Sequence, residues 1–387
     1  MARRFRMLAV VFLTRTSIGV QFQSIAPVAP LLVTDLGLGY AQVGSLIGLY
    51  MLPGALFALV GGVLGQRLGE RRVVVAGLVL MAAGAIVTAT SDGFALAAAG
   101  RLGSGIGAVL VNILLAKMVA DWFADREMST AMAVMLTSWP VGLGIATATF
   151  GTVGAAWGWR GAVHLSSVAA GAGILSMLVL YRNPPARTAA AAPAARPRLA
   201  RRQLALAVTG GIAWGSFNAS LVAMIAFGPG VLIARGASLG EASAVVSTAI
   251  WITLVSVPAG GILADRVKRP DLMIVGGSIA AGLVMMLVPA STWPLATLLL
   301  VGVLAGAPPG ALMSLLPRAL PPELLTVGFG VYYAVFYAVT AVTQPMAGAL
   351  RDVTGGPVAP VVFTGALMMA TAVGLAIFRV IERRSAR

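Results

Sequence analysis

Twelve long apolar stretches are the feature that most restricts how this chain can fold. Each is close to the roughly 20 residues that an α-helix needs to cross a bilayer. Of the 387 residues, 59% are apolar and only 10% are charged, whereas a soluble domain carries about a quarter charged residues. In hydrocarbon a helix satisfies its own backbone hydrogen bonds, and the alternating pattern of a membrane barrel is not seen here. We therefore predict an all-α membrane protein whose spans lie near residues 7–33, 42–64, 73–90, 94–119, 129–153, 161–181, 203–235, 241–264, 272–290, 294–317, 326–350 and 358–380.

Positive charge is concentrated in alternate loops. The clusters at residues 3–6, 67–72, 182–202, 266–269 and 379–387 fall on one side of the predicted spans, and the opposite loops hold only Arg160, Arg235 and Arg351. Because Lys and Arg accumulate in cytoplasmic loops, both termini are expected in the cytoplasm, with the chain in a bacterial inner membrane. The net charge of +15 is therefore interpreted as a topology signal, and no nucleic-acid partner is expected.

One stretch has the composition of a linker. Residues 182–202 are rich in Pro, Ala and Arg and separate six predicted spans from six. We predict an N-terminal six-helix bundle over residues 1–181, a cytoplasmic linker over 182–202 and a C-terminal six-helix bundle over 203–387. The halves also repeat each other: the residues GVLGQR at 62–67 are matched by GILADR at 261–266. Paired halves with a site between them are typical of secondary transporters.

Several motifs resemble those of the major facilitator superfamily. The loop GVLGQRLGERR at 62–72 is similar to the superfamily's loop between the second and third helices, and 261–269 is similar to its second copy. RLGSGIG from Arg101 is similar to its fourth-helix motif, and the turn Trp157-Gly-Trp-Arg160 resembles the oxalate/formate, nitrate/nitrite and cyanate branches. The resemblance implies two pseudo-symmetric bundles of six helices. It also implies gating roles for Gly62, Gln66, Arg67, Arg71, Gly261, Asp265 and Arg266, although Gln66 replaces the superfamily's usual acidic residue.

Arg15 carries the most informative charge. It lies about eight residues into the first predicted span, about 12 Å along a helix and thus near the bilayer midplane. A guanidinium there costs at least about 2.5 to 3.5 kcal/mol and stays protonated. All twelve acidic residues fall in predicted loops or at span ends, so none is placed to neutralise it.

Arg101 is the second cation expected inside the bilayer. It lies about seven residues into the fourth predicted span, about 10 Å below the outer surface of the membrane. Asn112 follows eleven residues later on nearly the same helical face. The resemblance implies that Arg15 and Arg101 both line the central cavity, where a guanidinium fork would match an anionic substrate. The alternative is that backbone carbonyls, or polar neighbours such as Gln21 and Ser24, satisfy each arginine.

The eleventh span carries a polar stripe. Tyr333, Tyr337, Thr340 and Gln344 recur on one helical face, and this pattern indicates a cavity wall or, alternatively, packed tyrosines. Asn218 lies one turn after Trp214 on the seventh span and is a further candidate. The residues predicted to bind substrate are therefore Arg15, Arg101, Asn112, Asn218, Tyr333, Tyr337 and Gln344.

These features favour a secondary transporter rather than an enzyme. We expect it to move a small organic or inorganic anion by alternating access, through anion exchange, facilitated flux or symport with a proton. The expected partners are the anion, a counter-anion or a proton, and the bilayer, with the chain as a monomer; no cofactor or metal is expected. The alternative is a proton-coupled multidrug or small-molecule exporter of the same fold, which would need an acidic residue inside the N-terminal bundle.

Overall fold

A computed structural model describes residues 3–123, 127–184 and 199–383, and within its helices it leaves out the side chains of 58–63, 66, 129 and 265. All regular structure in these ranges is helical. Three short 3₁₀ turns join the longer helices, at Ala26–Val28, Val288–Ala290 and Pro322–Leu324. The α-helices are α1 (Arg3–Phe22), α2 (Ala29–Leu36), α3 (Tyr40–Leu68), α4 (Glu70–Ala89), α5 (Phe94–Phe123), α6 (Met128–Val179), α7 (Arg201–Ile233), α8 (Leu239–Val267), α9 (Pro270–Leu287), α10 (Pro294–Leu304), α11 (Pro308–Met313), α12 (Leu315–Ala319), α13 (Leu325–Thr354) and α14 (Val358–Arg383).

By length and composition, eleven helical segments in the described ranges are able to cross a membrane. One of them, α6, is 52 residues long and contains a kink at Gly158, where φ is 72° and ψ is 169°. A side chain at this positive φ would be strained, and glycine tolerates it. The kink divides α6 into two consecutive spans, so the chain has the twelve spans of the predicted fold.

Two predicted spans are not single helices. The first, predicted over 7–33, ends as α1 at Phe22 and resumes as α2 at Ala29. The tenth, predicted over 294–317, breaks after Leu304 into α10, α11 and α12. Proline explains both breaks, because Pro27, Pro308 and Pro309 lack the N–H that a continuing helix would need. Each stretch still makes one candidate membrane span, Arg3–Leu36 and Pro294–Ala319.

The helices before the predicted linker pack mainly on one another, and so do those after it. The two halves meet where α3 lies against α13 and where α6 lies against α8. Gly44 and Gly48 of α3 face the backbone carbonyls of Gln344 and Ala341, so closely that a Cβ at either glycine would overlap them. Glycine at these positions allows the two backbones to touch.

Among the described residues, the close contacts between the halves run from the end opposite the termini to the middle of the helices, as at Gly54 with Tyr337. The end carrying the termini is marked by Arg4 beside Glu127 and by Arg202 donating to the carbonyl of Glu382. Among the described residues, the hydrogen bonds between the halves lie at the opposite end, where Asp352 meets the start of α3. The half of α13 nearer the termini is mostly half-buried. From these contacts we infer that the space between the halves opens toward the termini.

The boundaries of the two predicted bundles stay a prediction. Residues 185–198, most of the predicted linker, lie outside the described residues. On its two sides, α6 ends at Val179 and α7 begins at Arg201.

Candidate functional site

Arg15 lies in the middle of α1 and is held by residues of two other helices. Its Nε donates to Oδ1 of Asn112 on α5 at 2.9 Å. Its Nη1 donates to the carbonyls of Met135 and Leu136 at 3.1 and 3.2 Å and to Oγ of Ser138 at 3.1 Å, all on α6. The residue is 7% exposed. No acidic residue in the described part of the chain contacts this guanidinium.

Pro140 explains why the carbonyl of Leu136 is free to accept from Arg15. A proline inside a helix cannot donate to the carbonyl four residues earlier, which here is Leu136. That carbonyl accepts from Arg15 instead, and the hydroxyl of Ser138 accepts from the same nitrogen. The sequence Ser138-Trp139-Pro140 in the predicted fifth span is the signal that could have located this acceptor group.

One nitrogen of Arg15 remains available. Its Nη2 has no hydrogen-bond partner among the described residues, and it is not one of the buried polar atoms shut off from solvent. Tyr333 and Tyr337 of α13 approach the guanidinium closely enough to interact with it electrostatically, and Tyr337 also lies beside Asn112. We name Arg15, Asn112, Tyr333 and Tyr337 the central cluster. It joins three helices across both halves of the chain.

Arg101 has different surroundings. Its Nε donates to the carbonyl of Leu46 at 2.9 Å, and its Nη1 and Nη2 donate to the carbonyls of Gln21 and Phe22 at 3.0 and 3.1 Å. Nη1 also reaches Oγ of Ser24 at 3.3 Å. Gln21 and Phe22 end α1, where carbonyls lack helical partners, and a cation there is favourable. Arg101 is 2% exposed and therefore lies outside the central cluster as an internal cap of α1.

The other two predicted ligands, Asn218 and Gln344, form hydrogen bonds within the C-terminal half. Asn218 donates from Nδ2 to the carbonyl of Trp214 one turn earlier, at 2.8 Å. Gln344 is fully buried and donates from Nε2 to the carbonyl of Ala219 at 3.2 Å, which joins α13 to α7. The structure does not bring either of them into hydrogen-bond contact with Arg15.

The structure describes the surroundings of only some of the predicted gating residues. Arg71 donates from Nε and Nη2 to the carbonyls of Met177 and Leu178, so it fastens the end of α6 within the N-terminal half. Arg67 and Arg266 are exposed, and a Cβ at Gly261 would meet open space. The surroundings of Gly62, Gln66 and Asp265 lie outside the described side chains. Their gating roles stay predictions.

Sequence reasoning missed a contact between the halves at Asp352. The two carboxylate oxygens accept from the backbone N–H groups of Tyr40 and Ala41, each at 2.8 Å. These are the first residues of α3, where N–H groups lack helical partners and the helix dipole favours an anion. The guanidinium of Arg351 lies 3.7 Å from the ring centroid of Tyr40. Asp352 was assigned only to a loop, because the partner of a helix start is set by tertiary structure.

We expect Asp352→Ala to favour separation of the halves at this end. Loss of a charged helix cap costs about 1 kcal/mol or more, about a fivefold change in a conformational equilibrium. The chain has no cysteine, so Ser243→Cys can report the change. Ser243 is fully buried, and its Oγ lies 2.8 Å from where a Cβ of Gly151 would stand across the α6 and α8 contact. In the Asp352→Ala protein, a membrane-impermeant maleimide should label the cysteine introduced at this position about fivefold faster than in the parent.

A matched acid provides the control for this change. Asp92 lies at the same end as Asp352, and its one ion-pair partner among the described residues is Arg160 of its own half, at 3.4 Å. Asp92→Ala should leave the labelling rate unchanged. Equal rates in the Asp352→Ala and parent proteins would show that Asp352 does not hold the halves together.

The other charged side chains in the described ranges lie near helix ends. Lys117 pairs with Glu70 and, at 2.8 Å, with Asp121, while Arg379 binds Asp271 and Glu382. No group of His, Cys, Asp and Glu suited to a metal ion occurs among the described residues. The central cluster is thus a site with one cation, an amide and phenol hydroxyls, which can bind an anion by charge-assisted hydrogen bonds.

The fold and the central cluster define a multi-pass helical membrane protein of the transporter class. The sequence matches the family described as Major Facilitator Superfamily over residues 11–342, and the chain belongs to this family. At this level the prediction of a transporter rather than an enzyme is confirmed.

Two curated relatives show how far the similarity reaches. The hexuronate transporter of Bacillus subtilis (strain 168) is 23% identical over 253 residues, which cover 62% of this chain and 60% of the relative. The Major facilitator superfamily multidrug transporter mfsC of Aspergillus fumigatus (strain ATCC MYA-4609 / CBS 101355 / FGSC A1100 / Af293) is 28% identical over 164 residues, 42% of this chain and 32% of the relative. The chain thus spans 60% or less of the length of each.

A solved structure is similar over nearly the whole chain. It is a bacterial homologue of the human lysosomal transporter Spinster in an inward-facing, unoccupied conformation. The TM-score is 0.74 at 16% identity, and the match covers 99% of this chain and 98% of that one. This likeness supports the fold.

Proposed function

We propose that this protein is a secondary transporter that moves a small anion across the membrane by alternating access. Arg15 is the principal anion ligand, assisted by Asn112, Tyr333 and Tyr337. One observation carries the proposal: Arg15 is buried among α1, α5 and α6, has no acidic partner among the described residues, and keeps Nη2 free of described partners. An uncompensated guanidinium at this depth favours a negatively charged ligand.

Both termini are proposed to be cytoplasmic, because positive residues are enriched in the loops at that end. The open end of the space between the halves would then face the cytoplasm of a bacterium, and the structure would correspond to an inward-facing state. Asp352 and the α3–α13 contact would close the outer side. The Bacillus relative named for hexuronate, which is a carboxylate, agrees with an anionic substrate. We propose that the chain functions as a monomer.

Export of multiple drugs is the second candidate, and the relative named as a multidrug transporter favours it. A proton-driven exporter of cations would need a carboxylate near the site. The acids of the described spans stand near the helix ends, as Glu70, Asp121 and Asp271 illustrate. The central cluster instead carries a cation, which repels cationic drugs. We therefore rank this function second.

A comparison of carboxylates with their neutral amides tests the proposal. We expect nitrate or a carboxylate such as formate, acetate, lactate or benzoate to stabilise the purified protein against heat. At a hundred times its dissociation constant, a ligand adds about 2.7 kcal/mol. The matched amides should give no shift, because they lack the charge. Stabilisation by lipophilic cations, with no response to any anion, would favour the exporter instead.

A further inference from the structure

An unbroken series of aromatic rings leads from the central cluster into the C-terminal half. The ring of Phe336 on α13 lies 4.9 Å from that of Tyr337, centroid to centroid, and 6.1 Å from that of Tyr333. Trp214 of α7 lies 6.3 Å from Phe336 and stacks on Phe217 at 5.8 Å with an interplanar angle of 13°. We name Trp214, Phe217, Tyr333, Phe336 and Tyr337 the aromatic wall.

The rings of α13 in this wall face the interior of the protein. Val342 and Met346, 57% and 49% exposed, mark the lipid-facing side of α13. At about 100° per residue, Phe336 and Tyr333 lie roughly 100° to 160° around the helix from that side. Tyr337 packs on Gly54 of the N-terminal half, since a Cβ there would stand 2.5 Å from its ring. The wall therefore borders the space between the halves.

The wall also stands on the route to Arg15. Because α13 begins at the end that carries the termini, Phe329 lies about 12 Å nearer the open end than Tyr337. Phe329 continues the series, with its ring 6.2 Å from that of Tyr333. Tyr333, Phe336, Tyr337 and Trp214 are all only half-buried. A ligand that enters from the open end would pass these rings before its charged group reaches Arg15.

This arrangement distinguishes anions by the apolar group to which the charged group is attached. Nitrate, formate and cyanate carry no apolar group, so on Arg15 they gain only the charge-assisted contact. A planar apolar body attached to a carboxylate would cover the rings and gain both aromatic contact and burial of apolar surface. The hydroxyl of Tyr333, whose nearest polar partner in the described structure is the sulfur of Met313 at 4.0 Å, is available to donate to a carboxylate oxygen.

We propose that the substrate is an aromatic monocarboxylate, with its carboxylate on Arg15 and its ring against Phe336 and Trp214. This inference rests on the proposed function, because it assigns the rest of the molecule whose charged group Arg15 binds. It narrows the substrate class from small anions in general to those with an arene body.

Binding to the purified full-length protein tests the assignment, with benzoate, 3-phenylpropionate, cyclohexanecarboxylate, acetate and nitrate as probes. We expect an aromatic carboxylate to bind at least about tenfold more tightly than acetate, because burial of a ring changes affinity by about one to two factors of ten. Cyclohexanecarboxylate should bind between the two, since it is apolar but has no π face. Equal affinity of acetate, nitrate and both aromatic acids would overturn the arene assignment.

A variant of the wall provides the second measurement. Phe336→Leu should weaken binding of the aromatic acid about threefold to tenfold, as loss of an aromatic contact predicts, and leave acetate binding unchanged. The control is Phe363→Leu on α14, a half-buried phenylalanine away from the wall, which should change neither affinity. Melting temperatures of both variants without ligand verify that they fold. An equal loss for acetate and the aromatic acid in Phe336→Leu would contradict the proposal.

The outcomes separate the two proposals. If acetate or nitrate binds through Arg15 as tightly as benzoate, the anion site stands and only the aromatic body is wrong. If benzamide binds as tightly as benzoate, or neither nitrate nor any carboxylate binds, the anion proposal itself fails and the arene assignment fails with it.

Discussion

Arg15→Gln is expected to abolish transport of the anion while the protein is still made and inserted. Glutamine can keep a hydrogen bond to Asn112, but it removes the charge and the planar fork that hold the anion. Removal of one partner of a buried, hydrogen-bonded charge pair costs about 2 to 5 kcal/mol of binding free energy, a loss in affinity of about thirtyfold or more. Uptake of labelled benzoate or acetate into vesicles, and binding to the purified variant, measure this loss.

Two further arginine variants make the result specific. Arg15→Lys keeps the charge without the fork and should retain partial binding, since lysine acts as a point charge. Arg160→Gln removes an arginine at the far end of the molecule, where it bonds Ser91 and Asp92, and should transport normally. Uptake at the parental rate in Arg15→Gln would remove the assignment of Arg15 as the anion ligand.

The fold was predictable from the sequence because the bilayer permits few solutions. Apolar length indicated twelve helical spans, the positive-residue bias indicated their orientation, and the repeated motifs indicated two related halves. The breaks at Gln23–Ile25 and at Ala305–Ala307 were not predicted, although Pro27, Pro308 and Pro309 were visible. An apolar stretch with a central break has the same composition as a continuous helix, and only packing decides which of them forms.

The central cluster was only partly predictable. Helical spacing placed Tyr333 and Tyr337 on one face, and the absence of intramembrane acids made Arg15 conspicuous; the structure brings these residues together with Asn112. The same reasoning grouped Arg101 with them, because depth in a span does not reveal which carbonyls lie nearby. Where α1 ends decides the surroundings of Arg101, and that end was not foreseen.

Phe336 and Trp214 show another limit of the sequence. A tyrosine carries a hydroxyl that marks a polar stripe, whereas a phenylalanine on the same helix gives no periodic signal in an apolar span. Trp214 was noticed beside Asn218, but its neighbour in space, Phe336, is more than a hundred residues away in the chain. The aromatic wall therefore became visible only from the packing of α7 against α13.

Arg101→Gln should act on stability rather than on affinity. The parent side chain donates four hydrogen bonds to the carbonyls of Leu46, Gln21 and Phe22 and to Ser24. Glutamine can replace at most two of them, and a buried hydrogen bond from a charged group is worth about 1.5 to 3 kcal/mol. We expect a loss of about 3 kcal/mol or more in the free energy of unfolding, measured by denaturation of the purified protein.

The two buried arginines therefore give opposite expected results when they are changed in the same way. Arg101→Gln should lower the melting temperature, while the fraction that remains folded binds the anion with the parental dissociation constant. Arg15→Gln should lose anion binding, and the parent should gain more heat stability from added anion than this variant does. If Arg101→Gln instead kept its melting temperature and lost anion binding, Arg101 would be an anion ligand. Its contacts with the end of α1 would then belong only to the protein without bound anion. Both side chains are buried guanidiniums with no acidic partner among the described residues, so the difference between them would come from Nη2. In Arg101 this nitrogen donates to the carbonyl of Phe22, whereas in Arg15 it has no described partner and is not shut off from solvent.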